Sequence, residues 1–157
     1  MRSLGLYEGA LGRAIREMKF RGVADLAREL GPALAAAVSP GDVLVPVPLH
    51  PRRERERGYN QAGLLAREAA RPGATLLSSL VRIRPTATQV GLRAAERRRN
   101  VSGAFALVGS PPPTALLVDD VMTTGATLLE CARTLRRAGT ASVRAVVVAH
   151  AVVGRDR

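Results

Sequence analysis

The chain has 157 residues, 46% of them apolar and 3% aromatic, with 24 Lys and Arg against 13 Asp and Glu for a formal charge of +11. A chain of this length makes about one domain that buries roughly 70% of its unfolded surface, and its recurrent Leu, Val and Ala runs exclude disorder. The single cysteine, Cys131, excludes an internal disulfide and a thiolate metal site and suits a reducing cytoplasm, while the longest apolar run, AVVVAHAVV, is far below the roughly 20 residues of a membrane helix.

The positive charge suits a polyanionic partner, nucleic acid or a phosphate-rich substrate. Lys19 is the only lysine, and an Arg, Ala, Gly and Pro bias is also what a GC-rich genome writes, so solvated arginine faces account for the same balance. Two clusters stand out, PRRERERG at 51–58 and RAAERRRN at 93–100.

In chain order, Leu11, Ile15 and Met18 at helical spacing predict an amphipathic helix stopped by Gly22. Leu26, Leu30 and Leu34 predict a second, with Gly31 and Pro32 expected to kink or restart it, so residues 1–40 read as a helical segment ahead of an α/β core at 41–157. DVLVPVPL predicts a buried strand whose ladder stops at Pro46 and Pro48, followed by a basic loop. Asn60 caps a helix running to about Arg71, and Leu76 to Ile83 reads as one strand ended by Pro85. Residues 85–103 are polar and arginine-rich, a short strand follows near Ala104 to Leu107, and Pro111 to Pro113 make a turn. His50 and His150 lack a metal-ligand spacing and read as structural, and Tyr59, Phe20 and Phe105 as packing residues.

The stretch ALLVDDVMTTGATLLECARTLRRAG predicts a strand from Ala115 to Val118, a polar turn, and a helix from Ala126 to Ala138 with Leu128, Ala132 and Leu135 on one face. Ser142 to His150 is the next strand, reached by a right-handed crossover. Ligands of parallel sheets bind at the carboxyl ends of the strands, where Asp119 and Asp120 fall. Thr123, Thr124, Gly125 and Thr127 lie at the helix N-terminus, where unpaired amides and the helix dipole favour a phosphate and threonine hydroxyls add donors. The Gly-Lys-Ser/Thr of a nucleoside-triphosphate loop and the three-glycine dinucleotide fingerprint are both absent from this turn. A ribose 5-phosphate fits, its phosphate on the threonine loop and its 2′ and 3′ hydroxyls donating to the carboxylates, with magnesium on the same diol.

LLVDDVMTTGATL closely resembles the phosphoribosyl pyrophosphate (PRPP) binding motif of type I phosphoribosyltransferases. KFRG at 19–22, PVPLHPRRERERGYNQA at 46–62 and TATQVGLRAAERRRNVSGAF at 86–105 resemble the ComF competence family within that superfamily, so the resemblance covers almost the whole chain. It implies a mainly parallel α/β sheet flanked by helices, a ribose-phosphate loop at Val121, Met122, Thr123, Thr124, Gly125, Ala126 and Thr127, and catalytic acids at Asp119 and Asp120. The segment 50–58 maps onto the loop that receives pyrophosphate, making Arg52, Arg53 and Arg57 candidate ligands, because guanidinium forks bind phosphate oxygens bidentately. Arg57 matches an Arg-Gly-aromatic-Asn pattern; for Arg52 and Arg53, neutralisation by neighbouring glutamates stays equally open. Thr86 to Asn100 corresponds to a mobile covering loop, with Gln89, Arg97 and Asn100 matching.

The implied chemistry is displacement of pyrophosphate at the anomeric carbon through an oxocarbenium-like transition state, with Mg2+ carried by PRPP and by the acid pair. Members of the ComF family usually carry an N-terminal cysteine-rich zinc module, whereas these first residues lead straight into a helix; a short member and a truncated start both fit. Three readings follow: a magnesium-dependent phosphoribosyltransferase of open acceptor, a cytoplasmic competence factor contacting single-stranded DNA or its helicase machinery, and a PRPP-responsive subunit without turnover. A homo-oligomer is compatible with each.

Overall fold

The computed structural model describes residues 1–20, 24–86 and 94–151. In chain order the elements are β1 (Arg2–Leu6), α1 (Gly9–Phe20), α2 (Leu26–Leu34), β2 (Val43–Pro46), α3 (Pro51–Arg57), α4 (Gln61–Ala69), β3 (Thr75–Leu76), β4 (Leu80–Arg82), α5 (Ala94–Val101), β5 (Phe105–Leu107), β6 (Thr114–Met122), α6 (Ala126–Arg137) and β7 (Ser142–His150). Five strands form a sheet in the order β1-β7-β6-β2-β3, every pair parallel, and β4 and β5 pair antiparallel in a separate two-stranded sheet. Strands buried on both faces read as continuous apolar runs, which is why VLVP and ALLV show no polar alternation.

Side chains alternate across the sheet, and two cores result. Leu44, Leu116, Val118, Val146 and Val148 pack under α1, α2 and α4 with Ile15, Met18, Leu34 and Leu65. On the other face Val45, Ala115, Leu117 and Val147 pack against Leu128, Cys131 and Leu135 of α6 and against Val101 and Phe105. Cys131 is a free, fully buried thiol within this second core.

Several sequence expectations are corrected here. The acids do not follow a strand ending at Val118: β6 continues to Met122, because β7 pairs alongside it through Asp119 with Val147 and Val121 with Ala149. The residues after β2 are not a basic loop; His50 accepts from the Arg52 amide at 3.3 Å and Pro51 opens α3, which ends at Gly58 in the left-handed conformation (φ 83°). The stretch 76–83 is two strands in two sheets, since the Leu77 amide still donates to Leu44 of β2 while Ser79 already accepts from Val108 beyond β5. Residues 1–8 do not lead straight into a helix but add β1 at the sheet edge, beside β7. α2 runs unbroken through Gly31 and Pro32 into a 3₁₀ turn at Ala35–Ala37. Gly22, the expected stop of α1, lies outside the described residues.

Candidate functional site

An open cleft of about 730 Å³ lies over the carboxyl ends of β2 and β6. Its floor follows from the alternation along β6. Asp120 continues the series of Leu116 and Val118, which face α1, and Asp119 continues that of Ala115 and Leu117, which face α6. Accordingly Asp120, 6% exposed, meets the Lys19 ammonium at the end of α1, with Nζ 2.9 Å from Oδ1. Asp119 is half-buried, and its Oδ1 accepts from the Asp120 amide at 2.9 Å. Burial, and then the charge of Asp120, push the Asp119 carboxyl up to about 7, against the opposing pull of Lys19 and Arg82.

Beyond the strand, Thr123 to Gly125 turn the chain into α6. Gly125 adopts φ 71°, a left-handed conformation that a β-branched residue resists, and no side chain caps the helix. The first-turn amides of α6 are thus left to an outside acceptor. Thr123 and Thr127 line the cleft, and the Thr124 hydroxyl is buried with no hydrogen-bond partner among the described residues. Val121 also lines the cleft, the Met122 carbonyl accepts from Ala151 at 2.8 Å, and Ala126 is buried beneath the loop.

The candidate arginines separate. Arg52 is exposed, and its Nε donates to Glu56 at 2.9 Å, the neutralised arrangement. Arg53 lines both the main cleft and an adjoining cavity of about 310 Å³. Arg57 lines the main cleft, stacks over the Phe20 ring at 5.5 Å and donates to Gln61 Oε1 at 3.1 Å. Burial, then Arg53, pull Arg57 below its ordinary value while Asp120 pulls it up. Arg97 on α5 reaches the cleft; Asn100 does not line it, and its carbonyl accepts from Arg84 at 3.1 Å. Gln89 lies outside the described residues. His50 caps α3 and also lines the adjoining cavity, and His150 Nδ1 meets the Ser3 hydroxyl at 2.8 Å. Phe105 packs in the second core, but Phe20, expected to pack, is 72% exposed at the cleft.

Two residues were missed by sequence reasoning. Lys19 carried a signal, being the only lysine of the chain. Arg82 carried none: it lines both cavities, its guanidinium lies over the Phe105 ring at 5.3 Å and donates to the Thr86 hydroxyl, and its Nε is buried without a partner among the described residues. Burial, then the neighbouring charge of Arg53, pull the Arg82 guanidinium below its ordinary value. Behind the site, buried Glu130 of α6 accepts from the Gly103 amide at 2.9 Å, just past α5, where Val101 is 1% exposed. Among the described residues no three His, Cys, Asp or Glu side chains gather to hold a metal ion, and no helix is long and apolar enough to cross a membrane.

Residues 67–157, more than half of the chain, match the phosphoribosyl transferase domain model. The chain is 35% identical over 156 residues to competence protein F of Haemophilus influenzae, covering 90% of this chain and 68% of that one. It is 36% identical over 156 residues to the DNA utilization protein YhgH of Salmonella typhi, with the same shares. A solved hypoxanthine phosphoribosyltransferase of Staphylococcus aureus is similar with a TM-score of 0.47 and 13% identity, over 83% of this chain and 64% of that one. The chain belongs to the ComF competence family, and its mainly parallel, helix-flanked sheet is that of a phosphoribosyltransferase domain.

Proposed function

We propose that the cleft binds PRPP or ribose 5-phosphate and that the domain is a cytoplasmic phosphoribosyltransferase. The observation that carries this reading is the buried, unpartnered Thr124 hydroxyl in a turn whose Gly125 opens α6 without a cap. Buried polar groups are nearly always satisfied, and a 5-phosphate would satisfy this hydroxyl together with the helix amides. Beside it Asp119 accepts from the sugar hydroxyls, and its carboxylate favours positive charge on the ribose ring. Arg53 and Arg57, with Arg82 behind them, receive the charge that grows on the leaving diphosphate as its bond to the anomeric carbon breaks and the bond to the acceptor forms. Arg97 adds a cation from the α5 side.

Magnesium fits this donor set. The carboxylates lining the cleft among the described residues are Asp119, Asp120, already paired with Lys19, and Glu56, already paired with Arg52, and Mg2+ takes one or two carboxylates plus substrate oxygens rather than a full protein cage. Bound with PRPP, the ion would neutralise the diphosphate. Calorimetric titration with PRPP and Mg2+, followed by a pyrophosphate-release assay over nucleobase acceptors, tests the reading. Micromolar binding supports it, and no heat of binding together with no protection from thermal unfolding refutes it.

A second reading is favoured by a separate observation. Arg98 and Arg99 are exposed on α5 while Arg97 turns to the cleft, and the relatives' names refer to competence and DNA utilization. In that reading the outer face of α5 contacts single-stranded DNA, or a helicase-type partner, while the cleft keeps its phosphoribosyl ligand.

A further inference from the structure

We infer that the two adjacent acids have separate tasks: Asp120 is a positioning residue that holds the Lys19 ammonium at the cleft wall, and Lys19 donates to an anionic oxygen of the ligand. This rests on the proposed function and assigns a ligand contact to α1.

The geometry comes first. Asp120 faces α1 and Asp119 faces α6, because neighbours on a strand point to opposite faces. The Lys19 side chain is 21% exposed and borders the cleft, and its ammonium sits 2.9 Å from the nearly buried Asp120 carboxylate. An ammonium has three donors, and this bond to Asp120 uses one. The end of α1 is fastened at three successive residues. The Met18 carbonyl accepts from the Tyr59 hydroxyl at 2.5 Å, Lys19 pairs with Asp120, and the Phe20 ring lies under the Arg57 guanidinium. Two of the three fastenings come from the Arg57 to Asn60 turn, so α1 cannot shift without disturbing that turn.

Charge completes the argument. Asp120 stands within electrostatic reach of both Lys19 and Arg57. Two cations share one carboxylate, Arg53 adds a third positive charge beside Arg57, and Glu56 is engaged by Arg52, leaving a net positive corner on the α1 side of the cleft. A ligand bearing phosphate at one end and diphosphate at the other offers an anionic oxygen to this corner while its phosphate meets the threonine loop. A carboxylate already engaged by an ammonium is a poor acceptor for sugar hydroxyls, which leaves that task to Asp119.

A double-mutant cycle on PRPP affinity, read by calorimetry with Mg2+, separates the roles. Lys19→Met is expected to weaken binding roughly tenfold or more, as for a lost charge-assisted bond, and Lys19→Arg to recover part of it. Asp120→Asn should weaken binding through the misplaced lysine, so the double variant should be no weaker than Lys19→Met. That double variant also leaves no uncompensated buried charge, which guards against misfolding of the single one. Asp119→Asn should add its full loss to that of Lys19→Met. Because Lys19 is the only lysine, its acylation can be followed by mass spectrometry: Asp120→Asn should speed it in the free protein, and PRPP should slow it in the wild type. Unchanged affinity in Lys19→Met, additive losses in the Lys19/Asp120 double variant, or faster acylation with PRPP bound would overturn the inference. A wild-type protein that binds no PRPP overturns the proposed function instead.

Discussion

Gly31 of α2 and Glu68 of α4 lie so close that a Cβ at position 31 would stand 2.2 Å from the Cβ of Glu68. Alanine in place of a helical glycine ordinarily gains up to about 1 kcal/mol. Here the added methyl has nowhere to go, and overpacking of this kind costs about 1–3 kcal/mol. Gly31→Ala is therefore expected to lower the midpoint of urea unfolding, and a raised midpoint would contradict the close approach of α2 and α4.

Thr124→Val should separate binding from stability. Its hydroxyl is buried without a partner in the free protein, so replacing it with a methyl of similar shape should leave stability equal or slightly higher. The same change removes a donor to a charged phosphate, worth about 1.5–3 kcal/mol, and should weaken PRPP or ribose 5-phosphate by about tenfold or more. Loss of stability with intact affinity would refute the phosphate assignment.

Gly125→Val is expected to abolish binding of the same ligands while the far-ultraviolet circular dichroism spectrum stays largely native. The position has φ 71°, which a β-branched residue resists, and a Cβ there would already touch Met122 Sδ at 3.5 Å, so the turn that presents the α6 amides would have to shift. Normal affinity in this variant would show that the phosphate lies elsewhere.

Asp119 should make the free protein less stable as pH rises. An aspartate in the unfolded chain ionises near 4, whereas burial and Asp120 raise the folded group to about 7. Between those values the folded state keeps a proton that the unfolded state has lost, so stability falls through that window and levels off above it. Asp119→Asn should remove this slope, on the order of 3 kcal/mol between pH 4.5 and 8 in denaturant titrations. Parallel profiles for the two proteins would contradict the raised value.

The DNA reading can be separated from the cleft. Arg98→Ala with Arg99→Ala should lower affinity for a labelled single-stranded oligonucleotide regardless of its sequence, and flatten the salt dependence by about one unit of slope per lost phosphate contact. PRPP affinity should be unchanged, because these two arginines face outward. Asp119→Asn with Asp120→Asn should do the reverse, losing PRPP while DNA affinity stays equal or rises. A wild-type protein without salt-dependent DNA binding removes this reading.

The start of β6, the turn and α6 were legible because three local signals agree, an apolar run, a threonine-glycine turn and a 3.6-residue stripe, whereas the continuation of β6 past Val118 was not. The end of β2 at Pro46 and the Asn60 cap of α4 were legible for equally local reasons. α3 was not, because it buries no residue and so has no apolar stripe; a histidine cap, a proline at its start and the Arg52–Glu56 pair support it instead. β1 was missed because an edge strand with partly exposed side chains carries little pattern. The division of the acids depends on how far β6 extends and on a lysine from the other end of the chain, both decided by tertiary pairing.

The bond from the Gly103 amide to the buried Glu130 carboxylate has a mechanical meaning. It ties the chain two residues past α5 to the helix that opens at the threonine loop, so the C-terminal end of α5 is anchored on α6 and a tilt of α5 would turn about that end. Eight residues of helix make an arm of about 12 Å, and a tilt of about 20° would sweep the far end through roughly 4 Å. Arg97, nearer the middle of the arm, would travel about half as far. One carboxylate thus couples the position of the element that presents Arg97 to the element that follows the threonine loop.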